Sequence, residues 1–107
     1  MDDRLGGFEE LVLLGVASLR GGGYGVTIQD QLETQTGHLI SVGAVYATLD
    51  RLERKGYVQS RVGAATAERG GRRKRLYRIT ASGATALSSI RAIRSNLWRA
   101  IEAPVRP

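Results

Sequence analysis

The chain has 107 residues, enough for one domain with a modest core and few enough that self-association would add useful burial. It contains no cysteine, which excludes disulfides, thiolate metal sites and a cysteine nucleophile. Charge is segregated, because the first 50 residues hold two basic and seven acidic side chains whereas the rest hold fourteen basic and three acidic ones. The basic second half predicts a surface that binds a polyanion.

Three short helical patterns, joined by glycine-bearing connections, occupy the first half of the chain. The first ends at the glycines 21–23 and the second at Gly37, since glycine favours helix C-termini. Ser41 is a suitable N-cap for the third helix, which Gly56 closes. The predicted buried stripes are Phe8, Leu11, Val12, Val16 and Leu19 in the first helix, Tyr24, Ile28 and Leu32 in the second, and Val42, Val45, Leu49 and Leu52 in the third. Together they predict a tri-helical helix-turn-helix.

After Gly56 the period of the apolar residues changes to two, as in a strand with one exposed face. Residues 64–74, AATAERGGRRK, have no periodicity and are predicted to form a loop. The residues predicted to share the inner face are Val58, Ser60 and Val62 in the first strand and Tyr77 and Ile79 in the returning strand. Two antiparallel strands joined by a basic loop, after a helix-turn-helix, predict a wing.

Thr80 is a suitable N-cap for a last helix, from about Ala81 to about Glu102, that Pro104 ends. Its apolar residues follow a heptad seam, namely Ala86, Ile90, Ile93, Leu97 and Ala100, with Leu87 and Ile101 beside it. Such a helix spans about 30 Å, too long for the small core to cover, so the seam predicts a homodimer. The alternative is that the helix folds back on helix one of the same chain.

The predicted fold class is therefore α+β, mostly α. A winged helix-turn-helix DNA-binding domain, with three helices and a two-stranded wing, is predicted over residues 1–80, and a C-terminal dimerisation helix over 81–103.

The face of the third helix opposite its apolar stripe carries small side chains first and cations later, in the order Gly43, Ala44, Ala47, Arg51, Arg54 and Lys55. Small side chains permit close approach to base edges in the major groove, and an alanine methyl can contact a thymine methyl. Thr48, at the flank, is predicted to donate to a phosphate or a base, and Arg51 and Arg54 to reach phosphates or guanine. The alternative is an ordinary solvated helix face.

Six cations and no acidic residue lie between positions 69 and 78, namely Arg69, Arg72, Arg73, Lys74, Arg75 and Arg78. Cations crowded in this way repel one another unless a polyanion or counterions relieve them. In GGRRK, two glycines allow close backbone approach, and arginine is favoured in a narrow minor groove. A solvated basic loop is the alternative. A hairpin rather than an amphipathic helix favours nucleic acid over a membrane as the polyanion.

No nucleophile, base or metal set can be assembled from the sequence, so we predict a protein that is not an enzyme and needs no cofactor or metal. RGGGYG follows a helix and lacks GK[ST], which indicates a glycine turn rather than a phosphate loop. The acidic residues fall singly or in exposed pairs such as Glu9–Glu10, and His38 is interpreted as a loop residue. With an acidic N-terminus and no apolar run of membrane-spanning length, we expect a soluble, cytoplasmic protein.

The chain resembles the PadR family of bacterial transcriptional regulators over nearly its whole length. The resemblance is carried by YGVTIQDQLE, by ISVGAVYATLDRLERKGYV and by GGRRKRLYRITASGATAL, and the single short C-terminal helix is similar to that of the compact subgroup. It implies a repressor that binds an inverted-repeat operator in double-stranded DNA, with Tyr46 near the DNA backbone. It also implies a dimer formed through the last helix and helix one.

Together with the residue patterns, the resemblance predicts two sets of site residues. The DNA-binding set is Ser41, Gly43, Ala44, Tyr46, Ala47, Thr48, Arg51, Arg72, Arg73 and Lys74. The dimer-interface set is Phe8, Leu11, Ile90, Ile93, Leu97, Trp98 and Ile101. A function from another class remains the alternative, a winged-helix module for protein–protein assembly whose basic wing faces an acidic partner.

Trp98, the only tryptophan, has two interpretations. In the first it packs against helix one of the partner as an ordinary interface residue. In the second, two copies face each other across the two-fold axis and form a stacking platform for a planar aromatic effector. Drug-sensing members of the compact PadR subgroup are similar in using a tryptophan on this helix.

Overall fold

The computed structural model describes residues 5–63 and 74–104. In chain order the elements are α1 (Gly7–Ser18), α2 (Gly25–Thr36), α3 (Val42–Arg54), β1 (Val58–Val62), β2 (Arg75–Ile79) and α4 (Ala81–Glu102). Four helices and one antiparallel pair of strands make a mostly helical α+β winged-helix fold, which confirms the predicted fold class.

The first three helices and the base of the sheet enclose one core, made of Val12, Leu13, Val16, Ile28, Leu32, Val45, Leu49, Leu52, Val58 and Tyr77. The predicted stripes of α2 and α3 are confirmed at their central positions. In α1 the buried face differs from the prediction, because Leu13 is fully buried whereas Leu11 is exposed. The run LVLLGVA is apolar on every side, so periodicity alone could not select the inward face.

The ends of the helices follow the local signals in the sequence. Ser41 Oγ accepts a hydrogen bond from the Ala44 amide at 3.2 Å, and Thr80 Oγ1 accepts one from the Gly83 amide at 3.1 Å. Gly37 ends α2 with a φ of 73°, in the left-handed region that glycine enters without steric cost. These caps confirm the predicted starts of α3 and α4.

The two strands pair in the register Val58↔Ile79 to Val62↔Arg75, which confirms the predicted hairpin. The Tyr77 amide also donates to the Gly23 carbonyl oxygen at 2.9 Å, so the glycine connection before α2 is tied to the outer edge of β2. Val62 was expected on the inner face, but it is half-exposed because the hairpin extends past the helical core.

The apolar packing of α4 on the rest of the chain involves only the beginning of the helix. Gly83 is buried where a Cβ would overlap the Tyr57 carbonyl oxygen, and Leu87 packs against the core. Every residue from 91 to 102 is exposed in the single chain. Four large apolar side chains of this segment are 59–73% exposed, namely Ile93, Leu97, Trp98 and Ile101. Apolar packing on the same chain is therefore confined to the first half of α4.

Candidate nucleic-acid interface

The first two turns of α3 present a smooth exposed surface. Gly43, Ala44 and Ala47 are all exposed, and their spacing of three and four residues places them side by side. We call these three residues the α3 face. Ser41, also exposed, adjoins them and uses its Oγ to cap the helix. The structure thus brings four of the predicted DNA-binding residues together at the N-terminal end of α3.

Tyr46 lies across the start of α2. A Cβ at Gly25 would overlap the phenol ring, so the absence of a side chain at Gly25 is what allows the ring to lie there. The ring stays 42% exposed, at the rim of the α3 face. Gly25 is therefore a supporting residue that the sequence analysis missed, since nothing local to residue 25 indicates a contact with α3.

A buried carboxylate joins α1 to the end of α3. Lys55 Nζ donates to both oxygens of Glu9 at 3.0 Å, the Gly6 amide donates to Oε1 at 2.8 Å, and Arg51 Nε lies 3.6 Å from Oε2. Burial alone would raise the pKa of Glu9. The Gly6 amide and the charges of Lys55 and Arg51 outweigh that effect and hold the pKa below its usual value.

Two expectations are corrected by this cluster. Glu9 is buried rather than part of an exposed acidic pair, because it lies three and four residues before the buried Val12 and Leu13. Lys55, expected on the DNA-facing side of α3, turns its ammonium toward α1 instead. A helical-wheel reading of α1 would have indicated the position of Glu9, but its partner lies 46 residues away.

The predicted contact of Thr48 with DNA does not fit the structure, since the residue is only 1% exposed. It lies within the buried stripe of α3, three residues after Val45 and four before Leu52. Its Oγ1 accepts a hydrogen bond from Arg51 Nη2 at 3.0 Å. Thr48 and Glu9 together orient the guanidinium of Arg51, whose side chain remains 48% exposed beyond the α3 face.

Glu9→Gln is expected to lower the free energy of unfolding by about 1–3 kcal/mol near neutral pH, because Lys55 and Arg51 lose a charged acceptor. The pKa of Glu9 is lowered by folding, so its contribution is present above the ordinary carboxyl pKa of 4.5 and disappears as pH falls through the lower folded value. Urea unfolding at neutral pH and near pH 3 measures this. A deficit of the same size at both pH values would contradict the assignment, and Glu10→Gln, in the more exposed pair, serves as the control.

Lys74 stands at the point where the wing loop rejoins β2. Its Nζ donates to the Tyr24 hydroxyl oxygen at 3.1 Å and lies 4.2 Å from the centroid of the Tyr24 ring, a cation–π contact. The Lys74 carbonyl oxygen accepts from the Gly63 amide at 2.7 Å. Arg72 and Arg73, the other two predicted wing residues, lie outside the described residues. The loop end of β2 is thereby linked to Tyr24, at the start of α2.

The predicted dimer residues lie on α1 and α4. Phe8 and Ile90 are partly buried, Leu11 is exposed, and the others form the exposed apolar side of α4. Arg94 Nε donates to Glu10 Oε2 at 3.0 Å, which raises the pKa of the guanidinium and links α4 to α1. Trp98 follows Arg94 by four residues, so it lies on the side of α4 that carries this ion pair.

Within residues 5–63 and 74–104, no three histidine, aspartate or glutamate side chains are grouped so that they could hold a metal ion. Across the same ranges no helix combines the length and the apolarity that a bilayer crossing requires.

Comparisons with known proteins agree with this geometry. Residues 13–89 match the transcriptional regulator PadR-like family. A PadR-like transcriptional regulator from Bacillus cereus superposes with a TM-score of 0.72 at 18% identity, over 89% of this chain and 87% of that one. A transcriptional regulator from Clostridium thermocellum gives a TM-score of 0.68 at 23% identity, over 92% of each chain. A PadR family transcriptional regulator from Eggerthella lenta gives 0.67 at 25% identity, over 86% and 78%.

No curated protein sequence matches the chain significantly. The family match nevertheless spans most of the chain, from the middle of α1 into α4, and includes every element of the α3 face and the wing. PadR-like proteins are DNA-binding regulators without enzymatic activity, which agrees with the prediction that the chain is not an enzyme. The chain belongs to the PadR family of DNA-binding transcriptional regulators.

Proposed function

We propose that the protein is a homodimeric repressor that binds an inverted-repeat operator. The observation that carries the proposal is the uncovered apolar side of α4, where Ile93, Leu97, Trp98 and Ile101 are 59–73% exposed. Complete burial of each such side chain contributes about 1.5–3 kcal/mol, so covering them is strongly favoured. The heptad spacing of the seam suits a second copy of the same helix.

In this proposal residues 1–80 bind DNA and residues 81–103 dimerise. The α3 face and Ser41 enter the major groove, where small side chains let the helix approach the base edges. Tyr46 and Arg51 flank that face and are placed to meet the sugar–phosphate backbone. Lys74, with Arg72 and Arg73 of the wing loop, meets the phosphates beside it. A dimer bound to the operator would prevent RNA polymerase from binding the same DNA.

Selection of binding sites from random duplex DNA tests this function. A homodimeric repressor should select an inverted repeat with half-site centres about one helical turn apart, roughly 34 Å, and bind it with nanomolar affinity at physiological salt. An assembly module with a basic wing should bind duplex DNA weakly and without sequence preference. That second outcome would overturn the proposal.

The wing is expected to contribute mainly through phosphates. If a dimer neutralises on the order of eight phosphates, the slope of log K against log salt concentration should be about −7. Replacing Arg72, Arg73 and Lys74 by alanine should flatten that slope and weaken all sequences about equally. The control is Arg99→Ala, which removes a charge from a side of α4 away from both the seam and Trp98. A wing variant with an unchanged slope would remove the wing from the interface.

We also propose that Trp98 forms part of an effector site at the dimer interface. The indole is 62% exposed, and two copies facing each other would give a flat aromatic platform. A bound planar molecule would favour a dimer in which the distance between the two α3 helices does not match the operator. Its effect is limited by the difference between its affinities for the matching and the mismatched dimer.

Titration with planar cationic dyes tests the effector site through two readouts, Trp98 fluorescence and operator release. In the wild-type protein we expect saturable quenching together with release of operator DNA. Trp98→Phe should retain part of the release, because a ring remains, whereas Trp98→Ala should lose it. Absence of quenching at dye concentrations on the order of tens of micromolar would return Trp98 to a purely structural role.

A further inference from the structure

Leu39 has the most exposed large apolar side chain among the described residues, at 95%. It lies in the turn between α2 and α3, two residues before the N-cap Ser41. It belongs neither to the core nor to the apolar side of α4. A single exposed apolar side chain is ordinary on a protein surface, so any role of Leu39 must be argued from its place in the fold.

Two side chains of α2 hold the backbone that follows Leu39. Gln29 Nε2 donates to the Ile40 carbonyl oxygen at 2.7 Å, and the Ile40 amide donates to Glu33 Oε2 at 2.8 Å. The Ile40 side chain packs against the core. Two side chains of α2 thus satisfy both backbone polar groups of Ile40, so Leu39 projects from a fixed backbone.

The position of Leu39 places it beside the bases in the proposed complex. Two residues of chain span at most about 7 Å, so Leu39 lies close to Ser41 and to the end of α3 that enters the major groove. Leu39 carries no charge or hydrogen-bonding group that could hold a phosphate. Among the groups that base edges present in the major groove, the thymine 5-methyl is the apolar one.

We infer that Leu39 reads a thymine methyl at the edge of each half-site, next to the bases covered by the α3 face. This inference rests on the proposed insertion of α3 into the major groove. It adds a specificity-determining residue outside helix α3, in the turn that precedes it.

The test replaces each thymine of the selected operator, in turn, by deoxyuridine, which lacks the 5-methyl group. At one position per half-site the wild-type protein should lose affinity about fourfold, as expected for one methyl-sized group removed from water. Leu39→Ala removes the contact in both half-sites, so it should bind the thymine operator about sixteenfold more weakly. It should also bind the thymine and deoxyuridine operators equally well at that position.

Two controls accompany the scan. Val26→Ala trims another exposed apolar side chain and should keep the thymine preference of the wild type. Thermal unfolding of Leu39→Ala should match the wild type, because an exposed side chain contributes little to stability.

The outcomes separate this inference from the proposed function. If the wild-type protein selects a site but Leu39→Ala shows the same loss of affinity as the wild type at every thymine replaced by deoxyuridine, the inference alone is overturned. The inference is also overturned if Leu39→Ala loses the same factor in affinity for every sequence, since that result indicates contact with the sugar–phosphate backbone. A wild-type protein without any sequence preference overturns the proposed function and the inference with it.

Discussion

Leu97→Asp is expected to convert the protein into a monomer and to lower operator affinity by at least about a hundredfold, or about 2.7 kcal/mol. Leu97 is the fourth of the five seam residues and is exposed in the single chain. In a dimer built on that seam, each protomer would have to bury a carboxylate against apolar side chains. Removing an uncompensated charge from water costs several kcal/mol, more than one seam position contributes.

Sedimentation and operator titration measure the two effects of this substitution. Ser95→Asp is the matched control, since it adds the same charge to an exposed position two residues away, on the opposite side of α4. The control should remain dimeric and keep its operator affinity. A Leu97→Asp protein that sediments as an unaltered dimer would show that the seam is not the interface.

Ala44→Glu is expected to abolish selective DNA binding while leaving the fold intact. Ala44 is exposed on the first turn of α3, so a larger side chain can extend into solvent in the free protein. In the proposed complex the carboxylate would enter a groove lined by phosphates, and like charges brought together at an interface cost several kcal/mol. We therefore expect a loss of affinity of at least about a hundredfold.

Ser88→Glu, which adds the same charge to an exposed position early in α4, is the control for net charge. Circular dichroism should be the same for both variants and the wild type, and neither variant should unfold at a lower temperature, since a glutamate at position 44 completes a capping box with Ser41. If Ala44→Glu still bound the selected operator tightly, the α3 face would not be the surface that meets the bases.

Local sequence signals predicted most of the fold. The caps Ser41 and Thr80 and the C-terminal Gly37 each act through atoms within a few residues, so the sequence around them is sufficient. Alternation, which is also a local pattern, predicted that Val58 and Tyr77 face the core. The family resemblance covers the same elements and agrees with these signals.

Contacts between distant residues could not be predicted in the same way. Glu9 and Lys55 are 46 residues apart, and Tyr24 and Lys74 are 50 apart, so no window of sequence contains either pair. Thr48 is a different case, because its spacing from Val45 indicated burial. Its hydroxyl suggested a position on the exposed flank, but Thr48 is buried, as its spacing from Val45 indicates.

The candidate site is therefore predicted in part. The sequence placed Gly43, Ala44 and Ala47 on one exposed face, and the structure agrees. It did not indicate that Arg51 is oriented by Thr48 and Glu9, because that arrangement depends on how α1 packs against α3.

The dependence of binding on operator spacing tests the central claim most directly, because it requires a two-fold dimer with both α3 helices in the major groove. Affinity and stoichiometry should be measured on the selected inverted repeat, on an isolated half-site, and on a repeat with about five base pairs inserted at its centre, which turns one half-site by half a helical turn. We predict two chains per intact operator and an inserted operator bound no more tightly than the half-site. Equal affinity for the intact and inserted operators, or one chain per operator, would contradict the account.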